Sequence, residues 1–140
     1  MTYTKILIIG VPRAGKSTIA TSLASELGIP LKHIDEWAKT LEWSVVSDKV
    51  AEKLETEGPW IMDGVAGVRG LRKWLERNPG KKPDFMIIWM GEPAIKLTAA
   101  QDNMRNGTLT IWKGVAPELL KRGVHIYSRG DTKEIVKTCR

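Results

Sequence analysis

Apolar and polar positions along the chain alternate between short unbroken apolar runs and longer stretches of helical period. The first run, Ile6-Leu7-Ile8-Ile9, leads into residues where Ile19, Leu23, Ala24 and Leu27 recur at i, i+4, i+5 and i+8, the spacing of one helix face. Gly28-Ile29-Pro30 then stops the helix. A second strand fits Leu31 to Ile34 and ends in Asp35-Glu36-Trp37, acids at the strand edge where open parallel sheets place their ligands. Ser44 to Glu57 reads as a helix, with Val46, Val50 and Leu54 four apart, and Gly58-Pro59 closes it. Trp60-Ile61-Met62 is the third strand, and Val68 to Arg77 a basic helix whose Leu71, Trp74 and Leu75 face inward. Residues 78–83 form a surface loop. Phe85 to Met90 is apolar throughout, which marks a central strand covered on both faces. Glu92-Pro93 opens a helix that runs to about Arg105, with Asn106-Gly107 as its cap. Residues 108–114 fit no regular element. A short helix from Pro117 to Lys121, a strand from Val124 to Tyr127 and a helix from Asp131 to Lys137 complete the chain. The alternation predicts one α/β domain over residues 1–140, a five-stranded parallel sheet with right-handed crossovers and helices on both faces.

Chemistry enters at the first strand-to-helix turn. Gly10, Gly15, Lys16 and Ser17 satisfy G-x-x-x-x-G-K-[ST], which turns backbone N–H groups inward around a phosphate chain and aims a helix N-terminus at it. Lys16 supplies charge to the β- and γ-phosphates, and the Ser17 hydroxyl is placed to hold Mg²⁺. Pro12 and Arg13 stand where small residues are more usual. Asp63-Gly64, directly after the third strand, has the form of a Walker-B-like magnesium carboxylate.

Composition adds compartment and partners. Cys139 is the single cysteine, so no disulfide forms within one chain and a reducing, cytoplasmic setting is expected. No apolar run is long enough to span a bilayer, and the N-terminus lacks a signal-peptide core, so no membrane partner is expected. The net charge of +6 is unevenly placed. Residues 19–68 carry nine acids against four bases, whereas 69–82 carry Arg69, Arg72, Lys73, Arg77, Lys81 and Lys82 against Glu76 alone. Such a basic block fits a polyanion, nucleic acid included, or plain solvated surface. Trp60, Trp74 and Trp89 read as core; Trp37, Trp43 and Trp112 fall near strand ends or loops, where base stacking is open to them.

The series from Gly10 through Asp35, Asp63-Gly64, the strand ending at Met90 and the helix ending at Met104-Arg105 resembles the small P-loop kinases. This group contains nucleoside monophosphate kinases, shikimate kinase and polynucleotide 5′-hydroxyl kinase. The resemblance implies a three-layer fold with a short lid, here residues 106–116. It implies an ATP cradle over Gly10, Val11, Pro12, Arg13, Ala14, Gly15, Lys16, Ser17 and Thr18, with Mg²⁺ on Ser17 and Asp63. Asp35 matches the carboxylate that orients and deprotonates the acceptor hydroxyl, and Arg105 the arginine that stabilises transferred charge. Asp63 and Gly64 would border the acceptor. The Phe-Pro-Arg that usually follows is replaced by Val65-Ala66-Gly67-Val68-Arg69, so Arg69 or Arg72 would clamp the acceptor only after a shift. A truncated lid with basic flanks is expected to suit a nucleotide or nucleic-acid acceptor, in the manner of the small phage kinases that phosphorylate 5-hydroxymethyluracil within DNA. Two alternatives stand beside it: a nucleoside monophosphate or small-metabolite kinase, and a P-loop protein that binds nucleotide without transferring phosphate. The missing Asn/Thr-Lys-x-Asp guanine-reading motif argues against a GTP switch.

Overall fold

The computed structural model describes residues 4–139. Five strands, β1 (Lys5–Gly10), β2 (Leu31–His33), β3 (Trp60–Asp63), β4 (Met86–Met90) and β5 (Ile126–Tyr127), form one sheet in the order β2-β3-β1-β4-β5. Every pairing is parallel. The central strand β1 is buried along its whole length, as its unbroken apolar run requires. Because successive strand side chains point to opposite faces, Leu7 and Ile9 enter one core and Ile6 and Ile8 the other. The first core is closed by α3 (Trp43–Leu54), α4 (Gly67–Arg77) and α5 (Ala99–Lys121), the second by α1 (Lys16–Leu27) and α6 (Thr132–Cys139). A four-residue helix, α2 (Asp35–Ala38), follows β2, and a 3₁₀ turn over Arg129–Asp131 precedes α6. Among the described residues no helix is long and apolar enough to cross a membrane.

The sheet and its order of elements agree with the sequence pattern; the stretch between β4 and β5 does not. No helix starts at Glu92-Pro93, since residues 91–98 are irregular. Helix α5 begins instead after Thr98, whose hydroxyl accepts the Gln101 N–H while the Gln101 side chain accepts the Thr98 N–H. This reciprocal cap satisfies two donors that a helix start leaves orphaned. The helix continues through Asn106-Gly107 and through the expected lid, residues 106–116, to Lys121, with Pro117 inside it. A mid-helix glycine costs about 1 kcal/mol. Thr108, Ile111, Val115 and Leu119, spaced by three and four, are all buried on one face of α5, and that burial outweighs local propensity.

The tryptophans divide differently from the expectation. Trp60 and Trp74 are core. Trp112 stacks on Trp89 with ring centroids 4.2 Å apart and planes 6° apart, so α5 and β4 consume that surface internally. Trp37 packs against the core under Lys32 and Lys49, and Trp43 stays 40% exposed.

Candidate active site

The loop joining β1 to α1 is held open by backbone constraints. A Cβ on Gly10 would fall inside the Met90 carbonyl, and the Gly10 φ of +157° is one that other residues rarely adopt. The Met90 carbonyl in turn accepts the Val11 N–H at 3.0 Å, pinning the loop to the end of β4. Helix α1 then starts at Lys16 with Gly15 as its cap and no side chain bonded to its first N–H groups. Unlike α5, α1 leaves those donors to an external acceptor, and the helix dipole adds positive potential there.

Those constraints open onto a cleft of about 480 Å³ lined by the loop residues Pro12 to Ser17 together with Asp35, Asp63, Val65, Ala94, Ile95, Gln101 and Met104. Lys16 is buried, and its Nζ donates to the Val11 carbonyl at 2.6 Å. Burial pushes its pKa down, opposed by the charges of Asp35 and Asp63. Asp63, at the end of β3, is only 4% exposed, and burial pushes its pKa up against the lowering effect of a hydrogen bond from His33. Asp35 is exposed at the start of α2, and its Oδ1 would lie 3.0 Å from a Cβ placed on Gly64. Gly64 therefore lets the Asp35 carboxylate lie against the end of β3.

Of the residues singled out from the sequence, Pro12 to Ser17, Asp35 and Asp63 share this cleft. Gly10 and Val11 shape the loop behind it, and Thr18 is exposed on α1. The arginines fall elsewhere. Arg105 pairs with Asp102 at 3.1 Å and lines a neighbouring cavity of about 320 Å³ with Pro93, Ile95, Lys96 and Leu97. Arg72 lines a separate cavity of about 590 Å³ between α4 and α5, with Leu75, Ile111 and Val115. Arg69 lies 5.9 Å from the Trp43 ring centre. Half of the basic block pairs with acids on α3 and at its C-terminal end: Lys73 and Arg77 both reach Asp48, at 3.0 and 2.6 Å, and Lys81 reaches Glu55 at 3.8 Å.

One residue in contact with the cleft's Asp63 has no sequence signature. His33 Nδ1 is 2.6 Å from Asp63 Oδ1 and 3.5 Å from Ser17 Oγ. Only the parallel register, which sets His33 beside Asp63, identifies it.

The fold and the cleft define a P-loop α/β protein whose Gly-rich loop and two carboxylates line one cleft. No protein-family model matches the chain, and no curated protein matches its sequence. Solved structures match its fold. Shikimate kinase from Aquifex aeolicus gives a TM-score of 0.57 at 18% identity, covering 95% of this chain and 92% of that one. Shikimate kinase from Acinetobacter baumannii, in complex with shikimate, gives 0.56 at 15% identity over 98% and 90%. The YorR protein from Bacillus subtilis, in complex with phosphorylated GDP, gives 0.50 at 19% identity over 96% and 92%. The chain has the P-loop kinase fold of the shikimate kinase type.

Proposed function

We propose that this chain is an ATP-dependent phosphotransferase that moves the γ-phosphate to a hydroxyl of a small acceptor. The observation that carries it is that Lys16, the α1 N-terminus, which has no side-chain cap, and the carboxylates Asp35 and Asp63 all line one cleft. Its volume of about 480 Å³ lies within the range of small-molecule sites. Phosphoryl transfer needs positioning and charge stabilisation more than covalent help, and these groups offer both.

In this reading the loop N–H groups from Ala14 to Ser17 hold the phosphates, and Lys16 Nζ leaves the Val11 carbonyl for their oxygens. Ser17 and Asp63 fit a magnesium ion: one hydroxyl and one buried carboxylate at the cradle's edge. Among the described residues no group of three or more His, Cys, Asp or Glu could hold a metal alone. That scarcity suits Mg²⁺, which takes one or two carboxylates and completes its shell with phosphate oxygens and water. When bound, the ion neutralises charge on the transferring phosphoryl group. Asp35, exposed at the cleft, takes the acceptor's hydroxyl proton as the new O–P bond forms and ADP departs with the old bond's electron pair. Arg105 reaches the transferred phosphoryl only by leaving Asp102.

Asp35→Asn keeps the shape and removes the proton acceptor. We expect kcat to fall about 10²-fold with ATP affinity retained. Loss of ATP binding together with turnover would make Asp35 a metal or structural residue instead.

A small acceptor is favoured because Lys73, Arg77 and Lys81 pair with Asp48 and Glu55 and Arg72 lines another cavity. Fold neighbours that act on a small metabolite, the shikimate kinases, support it. The nucleic-acid acceptor expected from the basic block keeps one supporting observation: exposed Trp43 beside Arg69, an aromatic and a guanidinium with no acid partner among the described residues. Salt decides between them. A small neutral acceptor gives kcat/KM nearly flat with salt, whereas an oligonucleotide gives a log–log slope of about −0.7 to −0.9 per phosphate contacted, reduced by about one in Arg69→Ala.

A further inference from the structure

We propose that His33 is a positioning residue of this site: its ring N–H holds the Asp63 carboxylate in the orientation that receives Mg²⁺ together with the nucleotide. The proposal rests on the phosphotransferase reading above. Strands β2 and β3 pair in register, His33 beside Asp63, so both side chains reach the carboxyl edge of the sheet together. The 2.6 Å contact joins His33 Nδ1 to Asp63 Oδ1. A carboxylate has no proton to give, so Nδ1 is the donor. Among the described residues His33 is the one hydrogen-bond partner of that carboxylate, which leaves Oδ2 for a cation.

Ser17 Oγ, the other group assigned to the ion, lies 3.5 Å from the same nitrogen. With the Nδ1 proton directed to Asp63, the Ser17 oxygen keeps its lone pairs for a metal. One imidazole thus sits between the two protein groups that would hold the ion and fixes the carboxylate of the pair. Ligating carboxylates are commonly oriented by such an outer hydrogen bond, and losing it costs about 10- to 100-fold in metal affinity. A purely architectural role is a poor account of the ring. The two strand ends are already joined by the main chain, the Ile34 N–H donating to the Asp63 carbonyl at 2.7 Å, and the His33 ring is one-third exposed.

Calorimetric titration of ADP, once with Mg²⁺ and once with EDTA, tests this in the wild type, His33→Ala, His33→Asn and His33→Gln. We expect His33→Ala to weaken ADP binding about 10- to 100-fold in Mg²⁺ and to leave binding in EDTA unchanged. Asn or Gln, whose amide can donate to the same carboxylate, should recover most of the Mg²⁺-dependent affinity. Equal losses in Mg²⁺ and EDTA, no loss at all, or recovery by neither amide would overturn the positioning role while leaving the phosphotransferase reading standing. Wild-type ADP binding that gains nothing from Mg²⁺ would instead overturn both.

Discussion

Lys16→Ala is expected to leave the fold intact and to lower phosphotransfer by about 10²-fold or more, several kcal/mol of charge stabilisation. The side chain contributes little to stability that alanine would forfeit. Its amine is buried, which lowers its pKa, and among the described residues its one hydrogen bond is to a carbonyl of its own loop. What Lys16 offers, in the proposed reading, is a positive charge for the phosphates in the cleft that it shares with Asp35 and Asp63. Thermal melting and kcat measured on the same preparation separate the two effects. Turnover near that of the wild type would remove the kinase reading.

Gly10→Ala should do the reverse and strike the fold first. The added methyl collides with the Met90 carbonyl, which cannot retreat without giving up its hydrogen bond from Val11 and the β1–β4 register that ends in Gly10 and Met90. Overpacking of this kind costs roughly 3 kcal/mol, which lowers Tm by roughly 10 °C in a domain of this size. Gly28→Ala serves as the control. It has a positive φ, but its Cβ would meet nothing within 4 Å, so only the backbone penalty of about 1–2 kcal/mol applies. Equal melting losses in the two variants would contradict the account of how the loop is pinned.

Much of this architecture was legible because its signals are local. A short unbroken apolar run that ends in a Gly-rich turn fits a strand covered on both faces, and β1 is that strand. The Gly-rich turn between β1 and α1 could be read for the same reason. The β4–β5 connection misled because competing local signals pointed the wrong way. Pro93 and Asn106-Gly107 mark a helix start and stop, yet the start that formed was written in Thr98 and Gln101, and the expected stop was overridden by the burial of Thr108, Ile111 and Val115. Hence the segment that lines the cleft is not a lid at 106–116 but the irregular stretch at Ala94 and Ile95, joined to the β1–α1 loop where the Ala94 N–H donates to the Arg13 carbonyl at 2.7 Å. His33 was invisible for a different reason: strand register is a property of two distant segments, and nothing within Leu31-Lys32-His33 announces Asp63. Arg69 and Arg72 are three positions apart on α4 and so neighbours on one side of it, yet the long side chain of one stands over Trp43 and the other lines the α4–α5 cavity, a division that composition alone does not resolve.

The most direct test of the central claim is to follow the γ-phosphate of labelled ATP with Mg²⁺ across a panel of nucleosides, nucleotides, small hydroxy acids, polyols and oligonucleotides. The account predicts acid-stable label on a small hydroxyl compound, lost in Lys16→Ala and in EDTA. Tight ATP binding with no label on any acceptor, or with release of inorganic phosphate alone, would contradict it.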